Sequence, residues 1–86
     1  MFDWDDAKSD RCFAERGFDF AYAARLFLGD VLERVDDRHD YGETRIQAAG
    51  QIDGRPFMVV YTQRDDVTWI ISARFMHQKE WNRWQE

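Results

Sequence analysis

The sequence has little of what marks a secreted or membrane-spanning chain. Its 86 residues include one proline and one cysteine, Cys12, so no disulfide can form within the chain. A lone thiol fits a reducing cytoplasm. The longest apolar run, FMVVY, is far too short to cross a membrane, and the acidic start MFDWDD lacks the basic segment of a secretory signal. We therefore expect a cytoplasmic globular protein, with residues 1–86 as one domain and no membrane partner.

Basic charge is also scarce, since the formal net charge is −5. Residues 1–43 carry 12 acidic and 6 basic side chains, whereas residues 44–86 carry 5 acidic and 6 basic ones. The overall acidity opposes long-range attraction of nucleic acid, but the near-neutral second half can hold a local basic site. The chain has no Gly-rich phosphate loop, no CxxC pair and only two separated histidines, so we expect no metal and no other cofactor.

The N-terminal half predicts two helices. The first spans Asp5 to Arg16, with aspartates in its first turn and Gly17 as its stop. One face of this helix would carry Trp4, Ala7, Arg11 and Ala14. The second helix begins at the cap residue Asp19 and ends at Gly29 or the residue after it. Its apolar residues follow the i, i+3, i+4, i+7 spacing of a buried helix face: Phe20, Ala23, Ala24, Phe27 and Val31.

The spacing changes to that of strands in the second half. LERVDDRHDYGE (32–43) is typical of a short edge strand and a polar loop, and three longer strands follow within 44–52, 55–63 and 67–75. Asp53-Gly54 predicts a two-residue hairpin turn, because both positions favour positive φ. HQKEWNRWQE (77–86) predicts a C-terminal helix with Trp81 and Trp84 on one face. The fold class is therefore α+β, with two N-terminal helices, an antiparallel meander of three to four strands and a last helix.

Several of these segments resemble the BrnT toxins, ribonuclease components of type II toxin–antitoxin pairs. The matching segments are DRHDYGETR (37–45), VVYTQR (59–64) and IISAR (70–74), and the opening FDWDDAK…RGFDFAYA places Lys8 where the family has a lysine. The resemblance implies a RelE/ParE-like fold and an endoribonuclease that cuts mRNA without a metal. It also implies a BrnA-like ribbon-helix-helix antitoxin as partner, contact with DNA only through that antitoxin, and a toxin–antitoxin heterotetramer.

The chain departs from the family pattern in three places. Glu15-Arg16-Gly17 stands where Lys-His-Gly is usual, and Cys12 stands where an asparagine is usual. The commonly basic positions after ISAR are occupied by Phe75, Met76 and Gln78. Two alternatives therefore stay open. One is a binding module that keeps its antitoxin surface but has weakened catalysis, and the other is a ParE-like gyrase inhibitor.

RNA cleavage by a ribose 2′-hydroxyl needs cations around the reacting phosphate and groups that move protons. Arginine suits the first task because its planar fork binds phosphate oxygens and stays charged. The catalytic residues that the resemblance and the residue types together predict are Arg74, Arg64, Lys8, His39 and Glu43. The predicted substrate-binding residues are Arg45, Tyr61 and Lys79. For Glu43 a second interpretation is that it pairs with an arginine and holds it in place.

Sheet register tests whether the arginines can act together. The two-residue turn places Ile52 opposite Arg55, which puts Arg45 and Arg64 on one face of the sheet. Arg74 joins them only if the next turn has an odd number of residues. An even turn sends it to the opposite face.

Overall fold

The computed structural model describes residues 1–86 as a five-stranded sheet with strand order β1-β5-β4-β3-β2 and helices on both faces. In chain order the elements are β1 (Phe2–Trp4), α1 (Asp6–Arg16), α2 (Phe20–Ala23), a 3₁₀ helix (Ala24–Leu28), β2 (Leu32–Asp36), β3 (Arg45–Ile52), β4 (Arg55–Arg64), β5 (Val67–Phe75) and α3 (Gln78–Trp84). This order confirms the predicted α+β class, including the edge strand β2 and the antiparallel meander from β2 to β5.

The first strand was not predicted. β1 runs parallel to β5, with Phe2 beside Thr68 and Trp4 beside Ile70, so the sheet is mixed and the prediction of a purely antiparallel sheet was wrong. Trp4 accordingly belongs to a strand rather than to the first helix. A three-residue strand has no room for an alternating pattern, and its pairing partner is far away in the sequence.

Helix α1 ends at Arg16 as predicted and begins at Asp6, one residue later than predicted. The Asp5 side chain caps its N-terminus, and Gly17 ends it in the left-handed region with φ of 84°. The buried residues are Ser9, whose hydroxyl accepts the Phe20 N–H at 3.0 Å, and Cys12. Ser9 can be buried because this hydrogen bond satisfies it. Three residues that share another face of the helix are exposed: Ala7, Arg11 and Ala14.

The second predicted helix is α-helical only in its first turn. Asp19 caps it by accepting the Tyr22 N–H at 2.9 Å, and the chain continues as a 3₁₀ helix as far as Leu28. Gly50 of β3 lies directly beneath this segment, because a Cβ there would stand 3.0 Å from the Leu26 Cδ1 atom. The missing side chain lets the 3₁₀ helix pack closely against the sheet.

Each face of the sheet carries its own core, because alternate residues of a strand point to opposite faces. We call the face of the sheet that is covered by α1 and α2 the α1 face. Its core contains Cys12, Phe18, Phe20, Ala23, Leu26, Ala48, Ile52, Phe57, Val59, Ile70 and Ala73. We call the face of the sheet that is covered by the last helix the α3 face. Its core contains Ala49, Met58, Val60, Met76, Trp81 and Trp84. The predicted tryptophan face of α3 is therefore buried against the sheet.

The hairpin turn between β3 and β4 depends on two residues with left-handed backbone conformations. Asp53 and Gly54 both have positive φ, at 51° and 78°. We expect Gly54→Ala to lower the free energy of unfolding by about 1 kcal/mol, because an L side chain is strained in this region. Urea denaturation measures the change. Gly29→Ala is the matched control, since Gly29 has φ of −111° and open space around it. Equal losses in the two variants would contradict the prediction.

Candidate functional site

One irregularity in the sheet decides where Arg74 lies. β4 and β5 are joined by a two-residue turn and pair in regular register as far as Tyr61. A β-bulge then leaves Ile71 unpaired, after which Arg74 faces Met58. Met58 and Arg64 lie on the same face of β4, because an even number of residues separates them. Arg74 therefore lies on the face of Arg64.

All three predicted arginines consequently share the α3 face. Ile52 pairs with Arg55, which confirms the predicted hairpin register and places Arg45 on the same face as Arg64. The expectation that Arg74 would need an odd turn was wrong, because the turn is even and the bulge restores the face. A bulge changes the local backbone by one residue and inverts every side chain beyond it.

A single carboxylate links two of these arginines. Glu43, in the loop between β2 and β3, accepts from Arg45 Nε and from Arg64 Nη2, each at 3.4 Å. Both contacts are longer than an optimal charge-assisted hydrogen bond. Glu43 thus pairs with both guanidinium groups, which agrees with the second interpretation given for it from the sequence.

Arg74 has a tighter partner in the first turn of α3. Its two terminal nitrogens donate to the Glu80 carboxylate at 2.9 and 2.7 Å. This pairing raises the pKa of Arg74 and lowers the pKa of Glu80. The charge of Arg38 opposes this rise in the pKa of Arg74. Arg38 is itself held by the buried carboxylate of Asp36 through two hydrogen bonds of 2.7 Å.

Aromatic rings accompany the bridged pair of arginines. The Arg45 guanidinium lies over the Tyr41 ring at 3.9 Å, and the Arg64 guanidinium lies over the Trp69 ring at 4.7 Å. The ring of His39 meets Tyr41 edge to face, with centroids 5.6 Å apart. We call the whole assembly the arginine cluster; it consists of Asp36, Arg38, His39, Tyr41, Glu43, Arg45, Arg64, Trp69, Arg74 and Glu80.

The structure leaves three of the predicted site residues outside this cluster. Tyr61 lies on the α1 face, where its ring packs against Phe27 and its hydroxyl donates to Glu33. Burial and this hydrogen bond raise the pKa of Tyr61 to about 12. Lys8 lines a separate groove of α1 beside Ser72. Lys79 is exposed on α3 beside Asn82 and Arg83.

The departures from the family pattern at positions 75, 76 and 12 have packing roles. Met76 is buried in the core of the α3 face, and Phe75 packs against Phe18 and Phe57 on the α1 face. Apolar residues at these two positions therefore contribute to packing and take no cation from the cluster. Cys12 is buried with its thiol donating to the Ala73 carbonyl at 3.8 Å, and burial raises the pKa of this thiol.

Sequence reasoning missed several members of the cluster. Arg38 and Tyr41 lie within the DRHDYGETR segment, so their position in the loop was visible but their contacts were not. Trp69 follows the β4–β5 turn closely enough for its face to be deduced from the turn length. The pairing of Glu80 with Arg74 could not be predicted from the sequence, since it depends on how α3 packs against the sheet.

Comparison with known families supports the sequence resemblance. A family model described as ribonuclease toxin, BrnT, of type II toxin–antitoxin systems matches residues 4–80, a range that includes the whole arginine cluster. None of the curated proteins compared matches the chain significantly. No helix is long and apolar enough to cross a membrane, and no group of three or more His, Cys, Asp or Glu side chains is placed to hold a metal ion.

Proposed function

Because the chain belongs to the BrnT family of ribonuclease toxins of type II toxin–antitoxin systems, we propose that it is a metal-independent endoribonuclease acting on mRNA. The observation that carries this proposal is that Arg45, Arg64 and Arg74 all lie on one face of the sheet, with Glu43 bridging the first two. These groups lie at the surface, where an RNA backbone can reach them: the Arg64 and Arg74 side chains are 51% and 45% exposed.

The arginines would bind the phosphate at the cleavage site. Attack of the 2′-hydroxyl adds negative charge to the phosphate oxygens, and guanidinium groups fixed in advance stabilise that charge. The N–H groups that now face Glu43 match the donors that phosphate oxygens take in bidentate recognition. Since the two contacts to Glu43 are long, an incoming phosphate can replace this carboxylate more readily than it can replace Glu80 on Arg74.

His39 is the group that we assign to proton transfer. Imidazole is the side chain that changes its charge near neutral pH, and His39 is exposed beside Tyr41 at the margin of the cluster. Glu43 is assigned to holding the arginine pair in place. Tyr61 is not included, because it lies on the opposite face and its raised pKa keeps its hydroxyl protonated at neutral pH.

A type II toxin has an antitoxin as its partner. In our proposal this antitoxin is a BrnA-like ribbon-helix-helix protein that joins the chain in a heterotetramer and makes the contacts to DNA. It inhibits cleavage by covering the arginine cluster with acidic side chains, which take the positions that Glu43 and the RNA phosphate compete for.

One observation favours a second candidate, a binding module with weakened catalysis. Each arginine of the cluster already pairs with a carboxylate of the same chain, namely Asp36, Glu43 or Glu80. A phosphate must displace these partners before it binds. If the displacement is too costly, the chain keeps its antitoxin surface and cleaves RNA poorly.

Incubation of the purified chain with RNA in excess EDTA tests the proposal. We expect cleavage of unmodified RNA, products that end in a cyclic phosphate, and no cleavage of the same RNA carrying 2′-O-methyl groups. Cleavage that appears only when Mg²⁺ is restored would contradict the metal-independent reaction. Intact RNA under all conditions, together with binding to the antitoxin, would support the binding module. Growth arrest with intact RNA and a DNA-damage response would point instead to a gyrase inhibitor.

A further inference from the structure

Trp69 is the one tryptophan that neither core uses. Trp81 and Trp84 are buried in the core of the α3 face, and Trp4 packs against the core of the α1 face. Trp69 is only partly buried and belongs to neither set. A large aromatic side chain stabilises a small protein most when it is buried. An accessible one beside a functional site is therefore a candidate for ligand contact.

Tyr41 occupies an equivalent position on the other side of the bridged arginines. It too is partly buried and outside both cores. The Arg45 guanidinium lies over its ring, as the Arg64 guanidinium lies over the Trp69 ring. Glu43 connects these two arginine–aromatic pairs. The α3 face thus presents two aromatic rings, each beside a cation, within one continuous surface.

Only a short side chain, that of Thr62, lies on the sheet between Arg45 and Trp69. Thr62 pairs with Trp69 across β4 and β5, and on its other side the register places it opposite Arg45. Thr62 is buried, and its hydroxyl is already used in donating to the Thr44 carbonyl at 2.7 Å. Two strand spacings, about 10 Å, therefore separate the backbones that carry Arg45 and Trp69, with only a short side chain between them.

This arrangement matches the chemistry of single-stranded RNA. Cations such as Arg45 and Arg64 can bind successive phosphates. Aromatic rings can stack on unpaired bases, which are inaccessible in a duplex. We propose that Trp69 and Tyr41 form a nucleobase-stacking platform that binds single-stranded RNA on either side of the Arg45–Glu43–Arg64 bridge. The platform rests on the proposed ribonuclease function for its ligand, and it adds base stacking to phosphate binding at the same site.

Binding of a fluorescently labelled 2′-O-methyl oligonucleotide tests the platform, because this probe cannot be cleaved through its 2′ position. We expect Trp69→Ala to raise the dissociation constant about tenfold or more, and Tyr41→Ala to raise it in the same direction. Trp69→Phe keeps a stacking ring and should retain most of the affinity. Phe13→Ala is the matched control, since Phe13 is an exposed aromatic residue of α1 on the other face. Circular dichroism verifies that each variant is folded.

Two results would overturn the platform. One is wild-type affinity in Trp69→Ala under conditions where Arg64→Ala weakens binding, because the surface would then bind phosphates alone. The other is a loss of affinity in Trp69→Ala that is equally large for single-stranded and for duplex RNA, since stacking requires unpaired bases. Cleavage of unmodified RNA is measured separately. Trp69-dependent binding without cleavage would refute the enzyme and keep the platform, whereas cleavage with unchanged binding in Trp69→Ala would refute the platform alone.

Discussion

Replacing Arg74 or Arg64 with alanine is expected to slow RNA cleavage by about 10²- to 10³-fold, the range found when one preorganised donor to a transition-state oxyanion is removed. Both guanidinium groups lie on the α3 face and are held in place by carboxylates before any substrate arrives. Single-turnover cleavage of a labelled RNA measures the loss directly. Arg74→Lys should recover only part of the rate, because an ammonium keeps the charge but not the planar fork.

The control for this prediction is Arg25→Ala. Arg25 also pairs with a partly exposed carboxylate, that of Asp53, but it belongs to the 3₁₀ helix of the α1 face. Its removal should leave the cleavage rate unchanged. All of these ion pairs are partly exposed, so their loss should cost no more than about 1 kcal/mol of stability. Cleavage by Arg74→Ala at the wild-type rate would remove Arg74 from the reaction, whatever the family resemblance implies.

Phe57→Ala is expected to lower the free energy of unfolding by about 3–5 kcal/mol, the usual cost of truncating a fully buried phenylalanine. Phe57 is 1% exposed and lies at the centre of an aromatic group on the α1 face. Its ring centroid is 5.1 Å from that of Phe18 and 4.7 Å from that of Phe75. A domain of this size has a total stability of about 5–15 kcal/mol, so this loss is a large fraction of the total.

Chemical denaturation of Phe57→Ala and Phe13→Ala side by side provides the measurement and its control. Phe13 is 59% exposed on α1, so its truncation leaves no closed cavity and should change stability by less than about 0.5 kcal/mol. Similar losses in the two variants would show that Phe57 does not hold the core together. Unfolding should also be cooperative, because the two cores share the strands β3, β4 and β5.

Local features of the fold were predictable because a few neighbouring residues decide them. Asp5 and Asp19 cap their helices through hydrogen bonds that span three residues. Asp53-Gly54 forms its turn because both positions adopt positive φ. The alternation of β3 and β4 likewise predicted which arginines share a face. In each case the physical cause lies within a few residues of the observed structure.

The candidate site was predicted only in part, because its assembly depends on distant contacts. The family resemblance and the residue types led to Arg45, Arg64, Arg74, His39 and Glu43. The structure places the three arginines on one face of the sheet and bridges Arg45 and Arg64 through Glu43. They also led to Tyr61, Lys8 and Lys79, which the structure places elsewhere. For Tyr61 the difference is one of strand parity, since it is an odd number of residues from Arg64 in β4.

The α+β class, the helix caps, the hairpin register and the family could be deduced from the amino-acid sequence, because they follow from local propensity, side-chain alternation and short motifs. Long-range contacts established that β1 joins the sheet in parallel, that Arg74 lies on the same face as Arg45 and Arg64, and that Glu80 pairs with it. The bulge at Ile71 is the physical reason for the position of Arg74. A single unpaired residue inverts the strand beyond it, and the pairing of β5 with its neighbours establishes that inversion.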